Sequence, residues 1–242
     1  KLDNAIAVLR EFMDWELGEL WLFSSEHRYS MLESYSARQL SPELKAFVES
    51  SLQLKITIDS IAEMPAYRDN IPFWVTDLRE NNFLSRSEQA IEANMRATVA
   101  LPLLKDNRLI GGVFLFSSQV QELHHVQFDI LKGVMDILAS EIEHQKTIDQ
   151  YQRFFELSGD LLCIGDLDGR LRKVNSSFLE VLGYNDEELL GRSYYGFIHE
   201  DDKEKLVNIN QRLLLQEELK ELELRFRKAN GSYIWLSWSV VY

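Results

Sequence analysis

Residues 122–156 contain no proline and one glycine, and Leu131, Val134, Leu138, Ile142 and Ile148 recur within them at helical spacing. That period predicts one long helix. The chain on its two sides differs in kind. All four prolines precede residue 110, whereas seven of the eleven glycines follow residue 150. Up to residue 145 there are 13 basic and 22 acidic residues, a net of −9; the remainder has 13 and 17, a net of −4. The expected organisation is two domains, residues 1–121 and 154–242, with a connecting helix at 122–153.

Before the helix the pattern is mixed. Residues 3–17 have helical spacing, 18–24 and 29–35 read as strands, and 40–54 as a helix with Ser41 as N-cap and Pro42 in its first turn. Residues 73–76 are too short for more than an edge strand, and 87–94 read as a helix. Two apolar strands, 97–104 and 109–117, flank the hairpin turn Lys105-Asp-Asn-Arg. Beyond the long helix, residues 161–166 and 171–175 flank the tight-turn pair Asp168-Gly169. Short helices are expected at 176–182 and 185–190, the second opened by Asn185 with Glu188 three residues on. A longer helix at 201–217 precedes strands 222–228 and 232–241, where Leu222, Leu224 and Phe226 share one face. The fold class is α+β, with a half-buried antiparallel sheet in the second domain.

A net charge of −13 repels phosphate backbones and anionic lipid, and no basic patch offsets it, so neither nucleic acid nor membrane is an expected partner. The single cysteine, Cys163, excludes an internal disulfide and a thiolate zinc site, and fits a reducing, cytoplasmic compartment. Residues 109–116, the longest apolar stretch, fall far short of the roughly 18 to 20 residues that cross a bilayer.

Residues 154–242 resemble a PAS domain. The resemblance is carried by Asp166-Leu-Asp-Gly-Arg, Val174-Asn-Ser-Ser-Phe, Leu182-Gly-Tyr, Glu188-Leu-Leu-Gly-Arg, Ile198-His-Glu-Asp-Asp and Phe226-Arg-Lys-Ala-Asn-Gly-Ser-Tyr-Ile-Trp. Residues 1–145 resemble a GAF domain through Gly18-Glu-Leu-Trp, Ile71-Pro-Phe-Trp-Val-Thr-Asp-Leu, Phe83-Leu-Ser-Arg, Ala100-Leu-Pro-Leu and Ile110-Gly-Gly-Val-Phe-Leu-Phe-Ser. Where many relatives carry a glycine-rich turn, this chain has Ile61-Ala-Glu-Met. The resemblance implies two domains, GAF-like then PAS-like, each a central antiparallel β-sheet with flanking helices. It also implies a fifth PAS strand that the sequence does not supply before Tyr242, as a fragment of a longer protein would lack it.

The same resemblance implies signal input, with a sensor histidine kinase as the expected whole protein and a downstream output domain as partner. Trp74, Asp77 and Phe83 fall where GAF relatives approach their ligands. Phe116, Cys163, Asn175, Phe178, Phe197, Trp235 and Trp238 complete the pocket candidates, with core packing as the competing role for each. Trp235 and Trp238, at odd spacing, belong on opposite faces of their strand. The helix is expected to pair with its twin in a homodimer through Leu131, Val134, Leu138, Ile142 and Ile148.

Other chemistry is weaker. His199-Glu-Asp-Asp has metal-ligand types, but acids at a helix start offset its positive end. Asp166-x-Asp168-Gly169 lacks the bidentate Glu of a calcium loop. His124 and His125 point about 100° apart on a helix and suit no shared ion. His144 lacks the following proline of a phosphoacceptor motif, and the first domain has no cysteine for a bilin. Cys163, in an apolar strand, is expected to have a raised pKa. No catalytic set, metal site or required cofactor is read from the residues. A small ligand is the expected partner; a haem- or flavin-binding redox or gas sensor, a ligand-free dimerisation spacer and a diguanylate cyclase input region are the alternatives.

Overall fold

The computed structural model describes residues 2–23, 29–57, 64–80, 86–122, 125–206 and 219–241. Phe83, His124 and residues 61–63 and 207–217 lie outside the described residues. The chain divides into two compact units, residues 1–146 and 147–242.

The first unit runs α1 (Leu2–Met13), β1 (Leu17–Phe23), β2 (Tyr29–Ala37), α2 (Pro42–Gln53), β3 (Ile56–Thr57), α3 (Pro65–Arg68), β4 (Phe73–Val75), α4 (Ser87–Glu92), β5 (Ala97–Lys105) and β6 (Arg108–Ser117). Its six strands form one antiparallel sheet in the order β3-β2-β1-β6-β5-β4. The hairpin between β5 and β6 turns through Asp106 and Asn107, both at positive φ (49° and 60°), the primed geometry that matches strand twist. The Ser41 hydroxyl accepts from the Leu44 N–H at 3.2 Å and so caps α2.

Strand alternation splits the buried side chains between the two faces of the sheet. One core gathers Leu17, Trp21, Leu32, Phe47, Tyr67, Phe114 and Phe116. The other gathers Ile6, Leu9, Trp15, Leu20, Val99, Leu101, Val113 and Leu115. Within β6, Phe114 and Phe116 serve the first core while Val113 and Leu115 serve the second.

The long helix, α5, spans His125–Leu157. Its Leu131, Met135, Leu138, Ala139 and Ile142 are buried in the second of those cores, with Val134 packed against it. This corrects the expected dimer seam: Leu131, Val134, Leu138 and Ile142 are taken up by the helix's own unit, and Ile148 is half-buried. The face turned to solvent is a different one. Val126, Ile130 and Ile137 are exposed there at 72%, 42% and 72%.

The second unit contains β7 (Cys163–Gly165), β8 (Leu171–Val174), α6 (Ser176–Leu182), α7 (Asp186–Leu189), 3-10 turns at Tyr194–Phe197 and Glu200–Asp202, β9 (Leu219–Arg227) and β10 (Tyr233–Val240). Its strands form two antiparallel ladders, β7 with β8 and β9 with β10. Asn185 and Glu188 close a full capping box on α7, each side chain bonding the other's backbone N–H. Gly183 ends α6 in the left-handed conformation, φ 77°. The core gathers Leu171, Val174, Phe178, Leu182, Leu189, Phe197, Ile198, Leu206, Leu224 and Phe226.

Candidate functional site

In the first unit a cavity of about 10 Å³ lies between the sheet and α3. Trp21, Phe23 and Ser30 line it from β1 and β2, Gly111, Gly112 and Phe114 from β6, and Ile56, Met64 and Tyr67 from the segments beyond. Glycine inside a strand marks a close approach. A Cβ on Gly112 would collide with the Tyr67 hydroxyl, and one on Gly111 with the Trp21 carbonyl oxygen. Tyr67 is buried, and that burial raises its phenol pKa.

Next to this cavity the core holds an ion pair. Glu19, wholly buried on β1, accepts from Arg86 Nη2 at 2.6 Å and from Trp21 Nε1 at 2.9 Å. Arg86 also donates to the Ser51 hydroxyl, and its guanidinium lies 4.8 Å from the Trp21 ring centroid and 4.9 Å from that of Phe47. The two charges thereby neutralise each other.

The expected pocket residues of this unit do not converge on the cavity. Trp74 packs edge-on against Trp15 at 5.0 Å on the opposite face of the sheet, and its Nε1 donates to the Gln121 carbonyl at 2.9 Å. Asp77 is paired with Arg96 and accepts from the Arg79 N–H. That hydrogen bond from Arg96, above all, holds its carboxyl below the usual range. Phe116 belongs to the cavity-side core without lining the cavity, and its ring contacts include Phe47 and Phe114. Of the lining residues, Trp21 and Gly111-Gly112 lie in the segments that carry the GAF resemblance but are not among the pocket candidates, and Tyr67 lies in neither set; the paired glycines inside an apolar strand are the signal that points to this spot.

In the second unit Asn175 is a structural hub instead of a pocket wall. Its Oδ1 accepts from the N–H groups of Leu162 (3.0 Å) and Phe178 (3.1 Å), and its Nδ2 donates to the carbonyls of Phe155 (3.0 Å) and Asp160 (2.9 Å). It caps α6 and ties the last turns of α5 to β8. Phe178, Phe197 and Trp238 surround Phe226 at centroid distances of 5.5 to 5.8 Å. Among the described residues, the buried Nε1 of Trp238 has no acceptor. Trp235 stands on the outer face, 59% exposed, with Arg225 over its ring at 5.1 Å. Burial pushes the Cys163 thiol up to about 11, so it is neutral at pH 7.

The acids at 201 and 202 are engaged as well. Asp202 accepts from Arg225 Nε (2.9 Å) and from the Arg225 backbone N–H (3.0 Å), and Asp201 from Arg225 Nη2 (3.0 Å). The Arg225 guanidinium holds the Asp202 carboxyl far below its ordinary value. Asp166 closes the turn before β8 by accepting from the Asp168 and Arg170 N–H groups. Among the described residues no group of three or more His, Cys, Asp or Glu side chains could hold a metal ion.

Comparison with known families gives these two units their names. A model of the GAF domain matches residues 2–143. The chain belongs to the GAF domain family. A model of the PAS fold matches residues 172–242, so the GAF unit is followed by a PAS-like unit, and both families are sensory rather than catalytic. The chain is 14% identical to GAF3 of Slr1393 from Synechocystis sp. PCC6803, solved in its photoproduct state, with a TM-score of 0.51, covering 62% of this chain and 95% of that one. It is 14% identical to a GAF domain/HD domain protein of Geobacter sulfurreducens, with a TM-score of 0.50 and coverage of 60% and 91%. A curated relative, the aryl hydrocarbon receptor nuclear translocator homolog of Drosophila melanogaster, is 34% identical over 71 residues, 29% of this chain and 11% of the relative.

The Synechocystis likeness overturns one expectation. A GAF domain with a photoproduct state carries a light-absorbing group, so the fold itself accommodates a cofactor and the reading that none is required does not stand. The GAF unit of this chain has no cysteine, so a group held there is not bonded to a thiol of that unit. No described helix is long and apolar enough to cross a membrane.

Proposed function

We propose that the chain is the sensory input region of a cytosolic signalling protein, with a sensor histidine kinase as its output. The GAF unit binds a small ligand in the cavity at Trp21 and Tyr67, and α5 relays the result toward the PAS unit. The observation that carries this reading is the division of β6. Gly112 and Phe114 line the cavity, while Val113 and Leu115 of the same strand pack in the core that holds Leu131, Leu138 and Ile142 of α5. Close-packed interiors transmit small displacements. A ligand bound tenfold more tightly to one arrangement shifts the balance by about 1.4 kcal/mol.

The helix relays best as half of a pair. Val126, Ile130, Gly133, Ile137, Ser140 and His144 alternate at four- and three-residue steps along its exposed face, the period of a coiled-coil seam. Dimerisation through this face leaves Leu131, Leu138 and Ile142 in the GAF core.

Native mass spectrometry of the purified chain tests the reading, because it reports bound ligand and stoichiometry together. A dimer with added ligand mass is expected. A ligand-free monomer at high concentration, unchanged by candidate metabolites, would remove it. An absorption spectrum of the same sample separates a coloured cofactor from a colourless ligand.

A further inference from the structure

We infer that Tyr67 occupies the seat of the ligand, and that the ligand is a small, neutral, planar aromatic molecule that displaces its ring. This rests on the cavity reading above and goes further by naming the ligand's chemistry and the side chain it replaces.

Space is the first constraint on the ligand. A cavity that holds benzene measures about 150 Å³. The free volume here is about 10 Å³, room for roughly one water, so any organic ligand must take the place of a side chain. Trp21 and Phe114 are poor candidates to move, because they stand on β1 and β6, neighbouring strands at the centre of the sheet. Tyr67 is held differently. It sits on the single turn Pro65–Arg68, whose N-cap residue, Met64, makes no side-chain capping bond. Its ring lies directly on Gly112, where a Cβ would meet Tyr67 Cζ at 2.9 Å. The glycine thus provides a side-chain-free floor that fits a flat ring.

The walls specify the class of ligand. Trp21 and Phe114 offer aromatic surface and Met64 a polarisable thioether, all suited to an aromatic ring. Charge is already balanced beside the cavity, since Glu19 and Arg86 neutralise each other at 2.6 Å, so a charged ligand would gain no free counterion. One polar atom is accommodated where the Tyr67 hydroxyl now lies.

The experiment uses the full chain with benzamide as probe. Tyrosines are nitrated with tetranitromethane, with and without saturating benzamide, and the modified peptides are quantified by mass spectrometry. Tyr67, 7% exposed, is expected to be protected in the free protein and to react at least tenfold more with benzamide bound. Tyr35 and Tyr233, exposed at 37% and 45%, serve as internal controls and should not change. Calorimetry should find benzamide bound at least tenfold more tightly by Tyr67→Ala, which has no ring to displace, and not at all by Gly112→Ala, whose Cβ fills the seat. If benzamide binds the wild type while Tyr67 stays protected, the displacement is wrong and the cavity reading survives. Should neither the wild type nor Tyr67→Ala bind it, while native mass spectrometry finds another ligand, the aromatic class is wrong. With no ligand found by either method, the cavity reading falls as well.

Discussion

Glu19 of the GAF unit lies wholly out of water on a central strand of a six-stranded sheet, whereas Asp202 of the PAS unit sits beside a two-stranded ladder with its partner Arg225 a quarter exposed. Glu19 depends on Arg86 and Trp21 for all of the hydrogen bonds described above. Asp202 receives a backbone N–H, a guanidinium and the Lys205 ammonium, and water can reach the two cations. The GAF unit therefore keeps charge inside by enclosing it, and the PAS unit uses charge and amides to fasten backbone segments. Enclosure makes a partner's loss expensive. Fastening spreads the loss over several bonds.

The sharpest way to break this comparison is Arg86→Met, which strands Glu19 in the core. A loss of about 3–5 kcal/mol in GAF-unit stability is expected in urea unfolding, and most of it should return in the double variant Glu19→Leu, Arg86→Met. If the single and double variants lose the same amount, Glu19 is not enclosed as described. Leu138→Ala, on the inner face of α5, should cost about 3 kcal/mol. Ile137→Ala, one residue earlier and 72% exposed, should change monomer stability by no more than about 0.5 kcal/mol while weakening self-association in sedimentation. Equal effects from the two would mean that the helix has no distinct inner and outer face.

In the PAS unit Asn175→Ala removes a cap and leaves two carbonyls short of a donor, for an expected loss of about 2 kcal/mol in thermal unfolding. The gentlest test is acid. A carboxyl whose folded pKa is depressed, as that of Asp202 is, adds stability that is fully present above its unfolded value of about 4 and is lost as pH falls toward the folded one. The PAS-unit melting temperature should drop below pH 4, and Asp202→Asn should flatten that slope. An unchanged slope would move the acid sensitivity to other carboxylates, such as Asp166, whose pKa is also lowered.

Local chemistry was the legible part of this fold. Ser41 before Pro42, Asn185 before Glu188 and Asp168-Gly169 each act through groups within a few residues, so their roles survive intact from pattern to structure. The strand spacing of Trp235 and Trp238 likewise sets them on opposite faces, one in solvent and one on Phe226. The candidate site was less legible, because its walls come from segments far apart in the chain. Tyr67 is joined to Gly112 across 44 intervening positions that carry no shared period. Trp74, a pocket candidate through the GAF resemblance, and Asn175, a candidate of the second domain, both donate to backbone carbonyls that only the folded chain brings near.

The long helix divides what each level of description decides. Its length, its lack of proline and its apolar repeat are properties of consecutive residues, and they dictated a helix between two α+β domains whatever its surroundings. The helix also carries a second, shorter apolar stripe, however, and periodicity does not say which of the two the sheet covers. Which stripe is core depends on where the sheet presents Val113 and Leu115, a contact between elements and not along one. Tertiary packing assigned Leu131, Leu138 and Ile142 to the interior and left Val126, Ile130 and Ile137 in water. Burial is a relation between surfaces, so a one-dimensional pattern determines that a surface must be covered but not by what.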